Sequence, residues 1–156
     1  MLHLFVTTPV GNLVIYGDGQ KIKKITFVSQ QKRSSSEKIN GVLKKTQEWV
    51  QNYFIKGGKK PFPLKYLDFS QGTPFQQKVW QALWSIPFGK RVSYAEIAQK
   101  IGSPQTVRAV GNANGQNPLP LLIPCHRVIC SDGSIGGYSA GVKLKRKLLK
   151  HEGVII

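Results

Sequence analysis

The sequence predicts an α/β protein: a small N-terminal antiparallel β-sheet plus helix, followed by a mainly α-helical C-terminal domain with a helix-turn-helix. Three observations support this prediction. Short β-rich segments separated by turn residues open the chain, a helical period of apolar residues follows, and capping-box sequences begin helices in the second half. The 156 residues, 40% of them apolar, suffice for one ordinary domain or two small ones.

The first part of the chain has the turn spacing of a three-stranded meander. Pro9-Val10-Gly11 and Asp18-Gly19-Gln20 separate three segments rich in β-branched and aromatic residues. The expected strands are residues 2–8, 12–17 and 21–28.

A helix is predicted after this meander. Ser34, Ser35 and Ser36 offer helix caps, apolar residues recur at helical spacing from Glu37, and Gly57-Gly58 supplies the stop. The apolar positions are Ile39, Val42, Leu43, Trp49, Val50, Tyr53 and Phe54. Residues 59–72 hold two prolines and indicate a connector, so we place a boundary between an N-terminal domain, 1–71, and a C-terminal domain, 72–156.

Two capping boxes begin helices in the C-terminal domain. They are Thr73-Pro74-Phe75-Gln76 and Ser93-Tyr94-Ala95-Glu96. The first helix is expected to end before Pro87-Phe88-Gly89 and the second at Gly102. The side chains that the first helix turns inward are Phe75, Val79, Leu83 and Ile86.

A helix-turn-helix is predicted where the second of these helices ends. Ser103-Pro104 is expected to start another helix through Asn114, and a turn of about two residues between two short helices is typical of this motif. Farther along, the apolar run Leu119 to Ile123 predicts buried chain and Ser131-Asp132-Gly133 a turn. A last helix is expected from Val142 to His151.

The charge of the chain favours a polyanionic partner. Lys and Arg number 23 against 7 Asp and Glu, and the net charge of +16 divides into +8 up to Gln71 (12 minus 4) and +8 beyond it (11 minus 3). Counterion release makes nucleic acid the leading partner. An anionic membrane surface is the weaker alternative, because no amphipathic membrane helix is evident, and a solvated basic surface is the plainest one.

The chain shows no signal of export. Its first ten residues lack the basic region, apolar stretch and cleavage site of a signal peptide, and no run of about 18 apolar residues occurs. We expect a cytoplasmic protein, nucleoid-associated in a prokaryote or nuclear in a eukaryote, with no membrane partner. Cys125 and Cys130 are too few for a disulfide scaffold and too close for a zinc ribbon, which favours a free thiol over a local disulfide.

The segment Pro124-Cys125-His126-Arg127-Val128 is the centre of the predicted chemistry. Taken alone, a Cys-His pair is more often structural than catalytic. Only a thiolate attacks, and free cysteine titrates near about 8.5, so a neighbouring imidazole and positive charge are expected to raise the thiolate fraction. Adjacent residues of an extended segment point in opposite directions, so His126 would act through a water or a bent backbone.

Several separated blocks support a catalytic interpretation of this pair. In order and spacing they resemble the methylated-DNA–protein-cysteine methyltransferases, the 6-O-alkylguanine-DNA alkyltransferase family, from Thr73 to the end of the chain. The blocks are Phe88-Gly89-Lys90, Val92-Ser93-Tyr94, Arg108-Ala109-Val110-Gly111, Asn117-Pro118, Pro124-Cys125-His126-Arg127-Val128, Gly136-Gly137-Tyr138-Ser139 and His151-Glu152-Gly153. Before Gly72 the similarity is one of general build only.

The resemblance implies a direct-reversal DNA repair enzyme. An alkyl group would move irreversibly from the 6-oxygen of guanine in duplex DNA to Cys125, once per protein molecule, after the nucleotide is flipped out. His126 would activate the thiol through a water, Glu152 would orient the imidazole, and Tyr94, otherwise a packing residue, would give a proton to the departing guanine. Whether the 4-oxygen of alkylated thymine also reacts stays open.

The resemblance also assigns DNA contacts. Arg108, otherwise a solvated side chain, would occupy the stack that the nucleotide leaves. Its helix would enter the minor groove, where the small residues Ala109, Gly111 and Ala113 would permit close approach to the DNA backbone.

Other family positions imply a pocket for the base. Asn117, which could equally be a plain turn former before Pro118, would tie the loops around Cys125 together. Tyr138 and Ser139 would line the guanine pocket, where glycines such as Gly136 let the backbone approach a flat base.

No cofactor and no metal is expected. A thioether at Cys125 has no good leaving group, so the protein would be consumed, acting as a monomer on double-stranded DNA that contains alkylated guanine. Cys125, His126 and Cys130 lack a fourth ligand for structural zinc, and the N-terminal half, where relatives sometimes carry zinc, has only His3.

Three other classes of protein remain as alternatives. An alkyltransferase-like binder of damaged DNA would replace the cysteine, which is intact here. A helix-turn-helix regulator would need a dimer interface, and a cysteine hydrolase would need an oxyanion hole; the sequence indicates neither.

Overall fold

The N-terminal part of the protein is the predicted sheet. The computed structural model describes residues 1–29, 35–36, 41–56 and 58–156. Strands β1 (Leu2–Thr8), β2 (Gly11–Gly17) and β3 (Ile22–Val28) form an antiparallel meander in that order, which confirms the three predicted segments to within one residue. Leu4, Ile15 and Ile25 pair across the strands and are buried, so this face of the sheet packs on the core.

The serine cluster is placed differently from the prediction. Ser35 and Ser36 lie along β1 rather than at a helix N-terminus: their hydroxyls accept hydrogen bonds from the N–H groups of Phe5 and His3, each at 3.0 Å. An edge strand offers unpaired backbone groups, and these serines satisfy two of them. The predicted cap Ser34 and the predicted helical residues Glu37 and Ile39 lie outside the described residues.

One helix covers the sheet. Helix α1 (Gly41–Lys56) packs against β1 and β2 and ends where the glycine stop was predicted. Its predicted apolar positions Val42, Leu43, Val50 and Tyr53 are buried. Among the described helices, none is long and apolar enough to cross a membrane.

The core continues from the N-terminal part into the C-terminal part. One cluster of buried apolar side chains extends from Leu4 to Leu148. Hydrogen bonds cross the predicted boundary as well, among them Ile25 N–H to the Pro118 carbonyl at 2.9 Å and Trp84 Nε1 to the Phe62 carbonyl at 2.7 Å. The boundary between residues 71 and 72 stays a prediction, and the two sides share an interior.

Both predicted capping boxes are present. In front of helix α2 (Pro74–Trp84), Thr73 and Gln76 each bond the other's backbone N–H, and Ser93 and Glu96 do the same in front of helix α3 (Tyr94–Lys100). Val79, Leu83 and Ile86 are buried as predicted, whereas Phe75 is only partly buried. The capping box of α3 makes Tyr94 the first residue of that helix, which fixes its direction.

The helix-turn-helix is confirmed, but its second helix begins later than predicted. Helix α4 (Val107–Gly115) does not start at Ser103-Pro104. The N–H and hydroxyl of Thr106 both donate to the Ser103 carbonyl, at 2.9 and 2.7 Å, and close a separate turn before the helix. The connection therefore spans residues 101–106, with Gly102 at φ +78° ending α3 as predicted.

A short parallel strand pair brings the helix-turn-helix next to the cysteine motif. Strand β4 (Val92–Ser93) pairs with β5 (Val128–Ile129), which directly follows a 3-10 helix at Cys125–Arg127. The run Leu119 to Ile123 is buried, and helix α5 (Val142–His151) matches its prediction. Tyr94 and Cys125 are thus anchored through one shared ladder.

Candidate active site

Cys125 sits in the interior at the start of a tight turn. Its N–H donates to the Ile123 carbonyl at 2.7 Å, and the side-chain amide of Asn114 donates to the Cys125 carbonyl at 3.5 Å. The segment is a 3-10 helix rather than the extended chain assumed from the sequence, so the opposite pointing of neighbouring side chains does not apply. The residue is 1% exposed, and a substrate atom must therefore be brought into the protein to reach it.

His126 is fully buried beside Glu152. Its Nε2 lies 2.6 Å from Glu152 Oε2. Burial lowers the pKa of His126 against the opposing effect of Glu152, so the imidazole is neutral at pH 7. A neutral ring that donates through Nε2 has an acceptor at Nδ1, and Nδ1 is buried with no hydrogen-bond partner in the described part of the protein. The ring is therefore set to accept a proton.

Glu152 is an ionised carboxylate inside the protein. Burial opposes its charge, but the hydrogen bonds and charges of His126 and Arg127 outweigh burial and lower its pKa to about 2. Arg127 donates from Nε to Oε1 at 2.8 Å and from Nη2 to Oε2 at 3.0 Å, a bidentate pair. Tyr53 and the N–H of Gly89 donate to the same carboxylate.

The thiol of Cys125 is protonated in this resting arrangement. Burial raises the pKa of the thiol, and Asn117, Lys145 and Tyr138 lower it only in part. The sequence predicted an enlarged thiolate fraction, and that prediction is wrong here because desolvation is the largest effect. The proton must leave the sulfur when the thiol reacts.

Asn117 is a support of the loop in front of the cysteine. Its Nδ2 donates to the Ile123 carbonyl at 2.8 Å, and its Oδ1 accepts from the Leu119 N–H at 2.9 Å. Both contacts lie within the buried run that leads to Cys125. The loop-tying role that the resemblance implied for Asn117 stays a prediction.

Tyr94 and Gly136 are close neighbours in the candidate site. Gly136 has φ +72°, and a methyl group added there would lie 3.1 Å from the Tyr94 hydroxyl and 3.3 Å from Cys130 Sγ. Burial and the nearby sulfurs of Cys130 and Cys125 raise the pKa of Tyr94, so its hydroxyl keeps its proton. The proton-donor role that the resemblance implied for Tyr94 stays a prediction.

Tyr138 and Ser139 differ in their placement. The Tyr138 hydroxyl is buried without a hydrogen-bond partner in the described residues, although the side chain as a whole is half-buried. Burial and proximity to Cys125 raise the pKa of Tyr138. Ser139 is exposed, so the structure brings Tyr138 but not Ser139 into the interior of the site.

Arg108 lies apart from this cluster on the protein surface. It is the second residue of α4 and is exposed, and Ala109 beside it is exposed too. Ala113 was expected on the surface that approaches DNA, but it is 2% exposed and its carbonyl accepts a hydrogen bond from Trp80 Nε1. Ala113 belongs to the core, which corrects that expectation.

Comparisons with known proteins show the family to which the chain is similar. The model of the family described as 6-O-methylguanine DNA methyltransferase, DNA binding domain, matches residues 74–154. A constitutive methylated-DNA–protein-cysteine methyltransferase of Bacillus subtilis is 43% identical over 148 residues, which cover 90% of this chain and 87% of that protein. A methyltransferase of the same name from Methanosarcina acetivorans is 36% identical, covering 98% and 99%.

A solved structure extends the similarity to the whole fold. The crystal structure of Mycobacterium tuberculosis OGT in complex with DNA superimposes with a TM-score of 0.83 at 39% identity, covering 96% of this chain and 91% of that one. The chain belongs to the methylated-DNA–protein-cysteine methyltransferase family. The region of this methyltransferase that matches the family's DNA-binding domain contains every residue that the sequence assigned to the site.

Four residues around the methyltransferase site were missed by sequence reasoning. Arg127 was quoted in the motif without a role, and Lys145 was taken as one of many basic residues. Lys145 is buried and donates to the carbonyls of Val128, Ile135 and Gly137 at 2.6, 2.6 and 2.9 Å. Its position on the apolar face of α5, with Leu148 and Leu149, was an available signal. Tyr53 and Asn114 gave no signal of their own.

The described residues of the methyltransferase contain no group of three or more His, Cys, Asp or Glu side chains that could hold a metal ion. The thiols of Cys130, which is half-buried, and of Cys125, which is buried, are both free of disulfide bonds.

Proposed function

We propose that this protein repairs DNA by direct reversal, transferring a methyl or larger alkyl group from the 6-oxygen of guanine to its own Cys125. The observation that carries this proposal is the buried arrangement of Cys125, His126 and Glu152, with His126 bonded to Glu152 at 2.6 Å and its other ring nitrogen unengaged in the described residues. Membership of the methyltransferase family supplies the reaction type.

The proposed alkyl transfer needs no cofactor. The thiol proton passes through a water to His126 Nδ1, and Sγ attacks the alkyl carbon as the carbon–oxygen bond breaks. The bonding electron pair stays on the guanine oxygen, and the Tyr94 hydroxyl gives that base a proton. Solvent then returns a proton to Tyr94 and takes one from the His126 imidazolium. Glu152 stabilises the imidazolium that forms, because it is already ionised.

The burial of Cys125 accounts for nucleotide flipping. A duplex cannot present the 6-oxygen of a stacked guanine to an interior sulfur, so the nucleotide must leave the helix. Arg108, exposed on α4, is proposed to enter the vacated stack, while Gly136 and Tyr138 face the extruded base. The proposed partner is double-stranded DNA with an alkylated guanine, bound by a monomer in the cytoplasm.

Transfer is proposed to occur once per molecule. The product at Cys125 is a thioether, which is a poor leaving group, so the alkyl group stays on the sulfur. Alkyltransferase-like binding proteins lack the acceptor, so the intact cysteine favours the enzyme over the binder.

The experiment is intact-mass measurement after incubation with a duplex that contains one 6-O-methylguanine. The wild type should gain about 14 Da, capped at one adduct per molecule, as expected for a covalent nucleophile. Cys125→Ala should gain nothing, whereas Cys130→Ala, the control for the other cysteine, should gain the same mass as the wild type. Absence of an adduct with retained duplex binding would leave a damage-binding protein instead.

A further inference from the structure

One hydrogen bond joins the N-terminal half of the chain to the centre of the site. The hydroxyl of Tyr53, on α1, donates to Glu152 Oε2 at 2.6 Å, the same oxygen that pairs with His126. The other donors to this carboxylate, Gly89, His126 and Arg127, all come from the C-terminal half. Among the described residues, Tyr53 is the one donor to Glu152 from the sheet-and-helix part.

Tyr53 is held firmly in this position. It is 0% exposed, and its ring stacks on Trp49 at 5.6 Å and meets the edges of Phe54 and Phe88. Its backbone carbonyl lies 2.8 Å from Nε2 of His151, the residue before Glu152. Both ends of the tyrosine are therefore fixed to the C-terminal end of α5.

The Tyr53 hydroxyl weakens the effect of Glu152 on the His126 proton. Burial raises the pKa of Tyr53, so it remains a donor. A carboxylate has about four lone-pair sites, and Glu152 already accepts two hydrogen bonds from Arg127 and one from Gly89. The Tyr53 hydroxyl therefore takes electron density from Oε2 that would otherwise act on the His126 proton.

We propose that Tyr53 is a positioning residue for the transfer reaction, holding Glu152 Oε2 against His126 and limiting how strongly Glu152 favours the imidazolium. The inference rests on the proposed function. It gives the N-terminal half a part in the chemistry, because a residue of α1 sets the proton affinity of the base. Tyr53 acts on His126 through Glu152, the acceptor of its hydroxyl.

The charged and titratable groups that face His126 determine the sign of the expected change. Glu152 raises the pKa of His126, while Arg127 and Lys145 lower it. In Tyr53→Phe the rings keep their packing, and Glu152 loses one donor. The negative charge of Glu152 then acts more fully on His126 and raises the pKa of the imidazole. At a given acidic pH more of the His126 ring is already protonated, so less of it is available to accept the thiol proton.

The test is the single-turnover rate of transfer from the methylated duplex, measured across pH with the full-length chain. In Tyr53→Phe the acid limb of the rate profile should move up by about half a pH unit, and rates on that limb should fall about threefold. Duplex affinity should stay unchanged. Tyr66→Phe, a half-buried tyrosine packed on Phe62, is the matched control and should behave as the wild type.

Two further measurements separate positioning from simple packing. Trp49→Phe weakens the stack on Tyr53 but keeps the hydroxyl, so it should lower the melting temperature without moving the acid limb. An NMR titration of labelled histidine, without DNA, should show the His126 pKa raised in Tyr53→Phe, with His3 as the reference.

The outcomes distinguish the two proposals. An unmoved acid limb and an unmoved His126 titration in Tyr53→Phe would overturn the positioning role. A uniform loss of rate at all pH values, matched by Trp49→Phe, would also overturn it in favour of packing. If the wild type forms no adduct, the proposed function fails, and the histidine titration still decides the effect of Tyr53 on His126.

Discussion

Glu152 and His126 are buried groups whose pKa values are changed by folding. Each therefore makes the free energy of unfolding depend on pH. Folding lowers the pKa of Glu152 from 4.5 to about 2, so its contribution is present above pH 4.5 and is lost as the pH falls toward 2. The pKa of His126 is also lowered, below 6.5. The unfolded chain takes up that proton more readily, so stability begins to fall below about pH 6.5.

We therefore predict that the unfolding free energy decreases steadily from pH 7 to pH 3, with Glu152 accounting for about 2 kcal/mol of the decrease over this range. Urea denaturation at a series of pH values measures this. Glu152→Gln should be less stable at pH 7 and should lose the component below pH 4.5. Glu48→Gln changes an exposed carboxylate and should keep the wild-type profile; if Glu152→Gln also keeps it, the assignment is wrong.

Gly136 is a position where both backbone and space require glycine. Its φ of +72° strains any other residue, and an added methyl would press on the Tyr94 hydroxyl at 3.1 Å. We predict that Gly136→Ala costs about 1 to 3 kcal/mol and displaces Tyr94, so that the transfer rate falls by about tenfold or more. Stopped-flow transfer and thermal melting measure the two effects.

The neighbouring glycine provides the control for that variant. A methyl group added at Gly137 would meet no atom within 4 Å apart from its chain neighbours, so Gly137→Ala should transfer near the wild-type rate. Equal losses in the two variants would show that loop flexibility, rather than the contact with Tyr94, limits the reaction.

Individual site residues were predicted where a local motif or a block resembling the family contains them. Cys125 and His126 are adjacent, and Glu152 was identified because its block matched a family pattern. Tyr53 lies 99 positions from Glu152, and no local pattern relates two such positions. The raised pKa of Cys125 was not predicted either, because it follows from burial in the fold rather than from neighbouring residues.

The capping box of helix α3 stabilises the helix and fixes its direction. Ser93 accepts the Glu96 N–H at 3.0 Å, and the helix that it begins is only seven residues long. We predict that Ser93→Ala costs about 1 kcal/mol of unfolding free energy. It should also slow transfer modestly, because Tyr94 follows the cap directly. Urea denaturation together with single-turnover kinetics tests this.

An exposed serine outside any cap serves as the comparison. Ser131→Ala lies in the turn after β5 and should change neither stability nor rate. If Ser93→Ala is as stable as Ser131→Ala, the cap does not stabilise α3.

Most helices and strands were predictable, and the exceptions have physical reasons. Turn residues between β-rich segments located the three-stranded sheet, and capping boxes and glycine stops located helices α2, α3 and α5. The start of α4 was misplaced because Ser103-Pro104 also suits a turn, and the Thr106 hydroxyl stabilises that turn. The β4 and β5 pair joins two-residue strands far apart in the chain, which no local period indicates.

The sequence suggests two domains, and the buried contacts suggest one cooperative unit. The core cluster crosses the predicted boundary, and the hydrogen bonds from Ile25 to Pro118 and from Tyr53 to Glu152 connect the sheet part to the site. Breaking the interface exposes buried apolar surface on both sides and leaves Glu152 with one donor fewer. Each part therefore loses stability when the other unfolds.

We predict a single unfolding transition in which the sheet and the helical part lose protection together. Pulse-labelled hydrogen exchange along a urea series should give the same midpoint for peptides from β2 and from α2, although they lie on opposite sides of the predicted boundary. Tyr53→Phe should lower both midpoints equally. Separate midpoints, with β2 unfolding while α2 stays protected, would mean that the shared core does not couple the parts. The N-terminal half could then influence the site only while it remains docked.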